Sequence, residues 1–199
     1  MIKNMPFLML VLVFVLTGDV YSQDPLLNDF NETRNRINTL AMLTLGGWAA
    51  SNIAVSTPLY FTTDDERQKY FYQMNTAWNV INLGIAGLGY CGAVTADTSI
   101  SLFQSIEEQA NIENILLFNA GLDVAYMMTG FYLIERSKSA SKHKYRLKGY
   151  GQSIILQGSF LFLFDAVVFY MQQQNTKLLE KVLTHAYVSP NGVGVQFYF

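Results

Sequence analysis

"MNTAWNVINLGIAG", Met74 to Gly87, decides how this chain is read, because it sets amides inside a run that otherwise has the composition of a buried helix. Asn75, Trp78, Asn79, Asn82 and Ala86 fall at i, i+3, i+4, i+7 and i+11, and Gly89 continues the series at i+14. That spacing is one face of an α-helix. Leu88 lies away from this face by its angular position relative to Asn79. An unpaired amide in hydrocarbon is costly, whereas amides that meet across helices bond for about 0.6 to 2 kcal/mol apiece. The stretch therefore predicts a membrane helix whose polar stripe faces other helices and whose Leu88 side faces lipid.

Composition agrees. Of the 199 residues, 51% are hydrophobic and only 14% charged, against about 25% charged in ordinary soluble domains, and the mean hydropathy is +0.19. A net charge of −2 and an isoelectric point near 5.6 leave no electrostatic footprint for nucleic acid, which is excluded as a partner. The single cysteine, Cys91, supports neither an intrachain disulfide nor a thiolate metal site. His143 and His185 stand alone, so zinc-binding and Ser-His spacings are absent. No metal or cofactor is expected, and no reaction class is legible.

Four apolar stretches have the roughly 20-residue length of a membrane span: 39–61, 77–96, 115–134 and 151–171. None contains Lys or Arg, and their only carboxylates are Asp123 and Asp165. Before them, Lys3, the apolar run Met5 to Leu16 and "DVYSQ" follow the order of a secretory signal peptide, with cleavage expected after Ser22. The run covers only about 18 Å of helix, short of a bilayer's thickness, which favours a cleaved signal peptide over the alternative of an uncleaved anchor. Glu135 to Tyr150 carries six Lys or Arg, while Asp97 to Asn114 carries four acids and no base. Basic loops stay cytoplasmic. Both the export signal and this asymmetry place the mature N-terminus at Gln23 and the C-terminus outside the cytoplasm. The expected layout is a signal peptide (1–22), an external segment (23–38), a four-helix transmembrane domain (39–171) and an external tail (172–199). Between the first two spans, Thr63 is the expected N-cap, with Asp64, Asp65 and Glu66 in the first turn. The tail reads as a short helix through Leu178, Leu179, Val182 and Leu183, then a β-segment that alternates Val193, Val195, Phe197 and Phe199. Its Ser-Pro-Asn-Gly turn, 189–192, makes one hairpin, and one hairpin closes no barrel. The fold class is all-α, in a bacterial inner membrane.

Each span has its own polar or small stripe. The first has Trp48 and Asn52 beside Gly46, Ala50 and Ala54; the third has Asn119, Asp123, Tyr126 and Gly130; the fourth has Gly151, Gly158 and Asp165 with Gln157 adjoining. Trp48, Asn52, Asn75, Trp78, Tyr126 and Gln157 are expected to form a polar core, with Gly46, Gly84, Gly89 and Gly158 admitting close backbone approach. Similar Asn and Gly placement in the two hairpins suggests a parallel internal repeat. Asp123 and Asp165 stand out, because an ionisable group at membrane depth is expensive and points to function. With no base in the spans, one or both are expected to be protonated, to share a proton or to hold a cation. Asn119, Asn79 and Asn82 complete the candidate ligand or proton site.

The stretches "GGWAASNI", "YFYQMNTAWNVINLGIAG", "NAGLDVAYMMTGFYLIERS" and "RLKGYGQSIILQGSFLFLFD" resemble a family of small helical membrane proteins from Bacteroidota that has no assigned activity, over about Leu40 to Tyr170. The resemblance implies the helical membrane fold and carries no chemistry with it. Three roles are compatible with the residues. The first is a non-enzymatic structural or assembly component in the bilayer, possible as a homo-oligomer through Gly and Ala ridges. The second is a small carrier or a proton- or cation-coupled protein using Asp123 and Asp165. The third is an intramembrane enzyme with those two residues as its acid/base pair, for which no nucleophile is evident.

Overall fold

In the computed structural model, which describes residues 25–185, the chain forms four long α-helices joined by short connections. They are α1 (Pro25–Thr62), α2 (Glu66–Thr95), α3 (Leu102–Ser139) and α4 (Lys144–His185). No strand occurs among the described residues. The expected signal peptide and the β-part of the tail lie outside them. Successive helices run in opposite directions. One end of the bundle thus holds the start of α1 and the α2–α3 connection, and the other end holds the α1–α2 and α3–α4 connections.

Each helix outruns its apolar stretch. The start of α3 shows why: Ser101 and Gln104 form a capping box, with Gln104 N donating to Ser101 Oγ (3.3 Å) and Ser101 N donating to Gln104 Oε1 (3.1 Å). Two orphan backbone amides are satisfied there, so winding begins thirteen residues before Ile115. At α2 the cap is Asp65 and not Thr63. The Asp65 carboxylate accepts from Arg67 N (2.8 Å) and Gln68 N (3.1 Å), whereas Thr63 N is still bonded back to Leu59 O of α1. Extended ends of α1, α3 and α4 are tied by polar groups. Glu113 accepts from Gln109, Gln173 and Thr176, and Gln172 Nε2 donates to Asn38 Oδ1 (2.8 Å).

The distribution of side chains is inside-out for a protein in water. Buried residues of α2 are Asn75, Asn79, Asn82 and Ala86, while Leu88 is 81% exposed and Leu43, Val80, Ile81, Phe118, Phe131 and Leu163 are exposed with it. Such a surface suits apolar surroundings. Three helices are long and apolar enough to cross a membrane: α2, α3 and Lys144–Glu180 of α4. The expected first span, in α1, is not among them, because Gly46, Gly47, Trp48, Ser51 and Asn52 dilute its hydropathy.

α4 is the element that holds the bundle together. It packs along α3, crosses α2 and touches α1, while α1 packs along α2. Glycines set the closest approaches. A Cβ on Gly151 would stand 2.6 Å from Gly130 O, and one on Gly149 would enter the backbone of α2 at Arg67 and Phe71. Gly84 differs from the sequence expectation: nothing lies within 4 Å of its Cβ position. Two residues beyond Asn82, it is turned roughly 200° from the buried face. No Cα atoms of α2 and α3 come within 8 Å of each other among the described residues, so a cleft separates these two helices.

Candidate functional site

The polar residues divide into two layers. Toward the end with the α1–α2 connection lies an amide network joining α1, α2 and α4. Trp48 Nε1 donates to Gln157 Oε1 (3.0 Å), Gln157 Nε2 donates to Asn75 Oδ1, and Asn75 Nδ2 donates to Asn52 Oδ1 (2.8 Å) and Ser56 Oγ (2.7 Å). Trp48 also stacks on Phe160 at 3.8 Å and an interplanar angle of 4°. Every member of this network has found a partner, so its chemistry is packing. Asn79 sits beside it, fully buried, with Nδ2 bonded to Asn75 O of its own helix.

Across the gap between α2 and α3, the rings of Trp78 and Tyr126 meet edge to face at 4.9 Å. They floor a cleft of about 860 Å³ that continues to the other end of the bundle. Asp123 and Asp165 line it, with Asn82, Asn119, Trp78 and Tyr126. Of the residues singled out from sequence, these six come together; Trp48, Asn52, Asn75, Asn79 and Gln157 lie behind them. Asp123 is 3% exposed and Asp165 is buried too. The two carboxyl groups face each other within hydrogen-bonding reach. Two carboxylate oxygens are both acceptors, so a hydrogen or a cation is needed between them. Asp123 Oδ2 and the Asn82 Nδ2 donor have no partner in the protein. Buried polar atoms without partners, on residues that line a cleft, point to a ligand site.

Sequence reading missed the far end of the cleft, where Arg34 and Glu108 form an ion pair of 2.5 Å with Asn35 and Asn38 alongside. Arg34 is fully buried and donates Nη1 to Ser105 O (3.4 Å). Burial pulls its guanidinium below the ordinary value and Glu108 opposes that; an arginine remains charged regardless. The signal was present. Arg34 and Ile37, ahead of the apolar stretch, share the buried face of α1 with Ala41 and Leu45 inside it, at i, i+3, i+7 and i+11.

No curated protein and no solved structure matches the chain. A family model described as a family of unknown function, DUF6992, matches residues 44–166. That range runs from Thr44 in α1 past Asp165 in α4, taking in the amide network, the Trp78–Tyr126 floor and the carboxyl pair, and stopping short of Arg34. Since it spans more than half of the sequence, the chain belongs to the DUF6992 family of unknown function.

Proposed function

We propose that this protein is a cation-binding, cation-coupled carrier of the bacterial inner membrane, with Asp123 and Asp165 as the cation site. One observation carries the reading: two carboxyl groups face each other, buried, on the wall of a cleft large enough for a ligand. Arg34 is the one basic residue on that wall among the described residues, and Glu108 already holds it. Glu108 precedes Asp123 by fifteen residues of α3, about 22 Å at 1.5 Å per residue. The carboxyl pair is therefore without a cationic neighbour. Uncompensated charge of this kind is expensive in a bilayer and is relieved by a proton or another cation. The export signal and the basic loop 135–150 support an orientation with the Arg34 end of the cleft outside and the Trp78–Tyr126 floor toward the cytoplasm.

The structural or assembly role stands second, favoured by the amide network, which locks three helices without any vacancy for a ligand. Proteoliposomes containing a pH-sensitive dye separate the two. Cation-driven proton movement, or cation uptake, that disappears in Asp123→Asn and Asp165→Asn is the expected result. A protein that folds, reconstitutes and shows neither flux nor cation-dependent stabilisation has a structural role instead.

A further inference from the structure

Building on the cation reading, we propose that the cation is a primary ammonium group carried on an apolar chain, an amphipathic monoamine that enters the cleft between α2 and α3. The acceptor inventory at the carboxyl pair suits three N–H donors. Asp123 and Asp165 supply two acceptors and the side-chain carbonyl of Asn119 a third on the same wall. A bare calcium or magnesium ion asks for about six oxygens, and no group of three His, Cys, Asp or Glu suited to a metal occurs among the described residues. Asp123 lines the cleft on a side chain 3% exposed, and its Oδ2 has no partner in the protein and needs a donor. Trp78 and Tyr126 stand one helical turn away from Asn82 and Asp123, where aromatic faces attract a cation.

Beyond those groups the cleft is walled by Leu45, Ile85, Ile115, Leu116, Phe164 and Val168. Between the carboxyl pair and the Arg34 end, water held against these side chains by a small hydrated cation gains no hydrogen bond from them; an alkyl chain fills that stretch and removes apolar surface from water. A volume of about 860 Å³ falls within the roughly 300–1,000 Å³ range of sites that enclose whole organic ligands. The far end offers no second cation site, because Arg34 already neutralises Glu108. That distinguishes a monoamine from a polyamine. Separation of α2 from α3 leaves a lateral route by which a molecule dissolved in the bilayer reaches the aspartates.

The test uses the full chain in detergent, followed by thermal unfolding and by tryptophan fluorescence, with octylamine, octanol, ethylamine and sodium chloride as probes. Octylamine is expected to stabilise saturably, octanol and ethylamine to do so far less, and sodium chloride not at all. Asp123→Asn and Asp165→Asn are each expected to weaken octylamine binding by about tenfold or more, the loss of a charge-assisted hydrogen bond. Asp97→Asn, on the exposed α2–α3 connection, should leave it unchanged. Octanol matching octylamine on the unmodified chain overturns the proposal without recourse to any variant. Stabilisation by sodium chloride that needs both aspartates, with no response to octylamine, overturns the amine while leaving the cation reading intact. An octylamine response untouched by either Asp→Asn change overturns both.

Discussion

Asn75 and Asn79 are one turn apart on the same face of α2, yet they are not equivalent. Asn75 bonds to Asn52, Ser56 and Gln157, so Asn75→Leu strips partners from two buried groups and one half-buried group. A cost of about 1–3 kcal/mol is expected. Asn79 donates only to its own helix, and its Oδ1 has no partner, so Asn79→Leu should cost clearly less. Leu88→Ile, on the exposed face, should stay within about 0.5 kcal/mol. Thermal unfolding of the three variants in one detergent ranks them, and equal losses at 75 and 88 would remove the case for a converging polar core. At the cleft, Asp123→Asn keeps a donor and an acceptor toward Asp165 and should fold normally. Asp123→Leu leaves the Asp165 carboxyl facing carbon, and a lowered melting temperature is expected.

Helix ends and crossings respond to different forces. Gly149 of α4 lies against the backbone of α2, where nothing can turn aside. Gly149→Ala should therefore cost about 1–3 kcal/mol as an overpacked contact. Gly87 has no atom within 4 Å of its Cβ position, and Gly87→Ala should be neutral or gain up to about 1 kcal/mol from helix propensity. The cap of α2 adds a pH dependence. Backbone amides of Gln68 and then Arg67, followed by the Arg67 charge, hold the exposed Asp65 carboxyl below the ordinary carboxylate value. A group depressed in the folded state contributes fully above its unfolded pKa, near 3.9, and loses that contribution as pH falls through the lower folded value. Melting curves taken below about pH 4 should fall more steeply for the native chain than for Asp65→Asn, whose amide oxygen caps at every pH.

For the whole molecule, the loop charges predict an orientation that labelling checks. In a Cys91→Ser background, Lys142→Cys should react with an impermeant reagent only from the cytoplasmic side and Ser99→Cys only from the outside. Reaction of position 142 from outside would invert the cleft and its proposed entry route. The sequence by itself determined that the described chain is helical, which residues of α2 share a buried face, and that Asp123 and Asp165 are the anomalous groups, since periodicity and the cost of burying charge are properties of local pattern. It also held, unread, the helical continuation through Arg34 and the capping box at Ser101. Tertiary structure alone decided that α2 and α3 stand apart, that Asn82 and Asn119 share a cleft with the carboxyl pair while Asn79 does not, and that Arg34 neutralises Glu108. Those outcomes depend on how α4 crosses its neighbours. Crossing is set by where Gly149, Gly151 and Gly130 let backbones touch, a relation between residues far apart in the chain that no stretch of it contains.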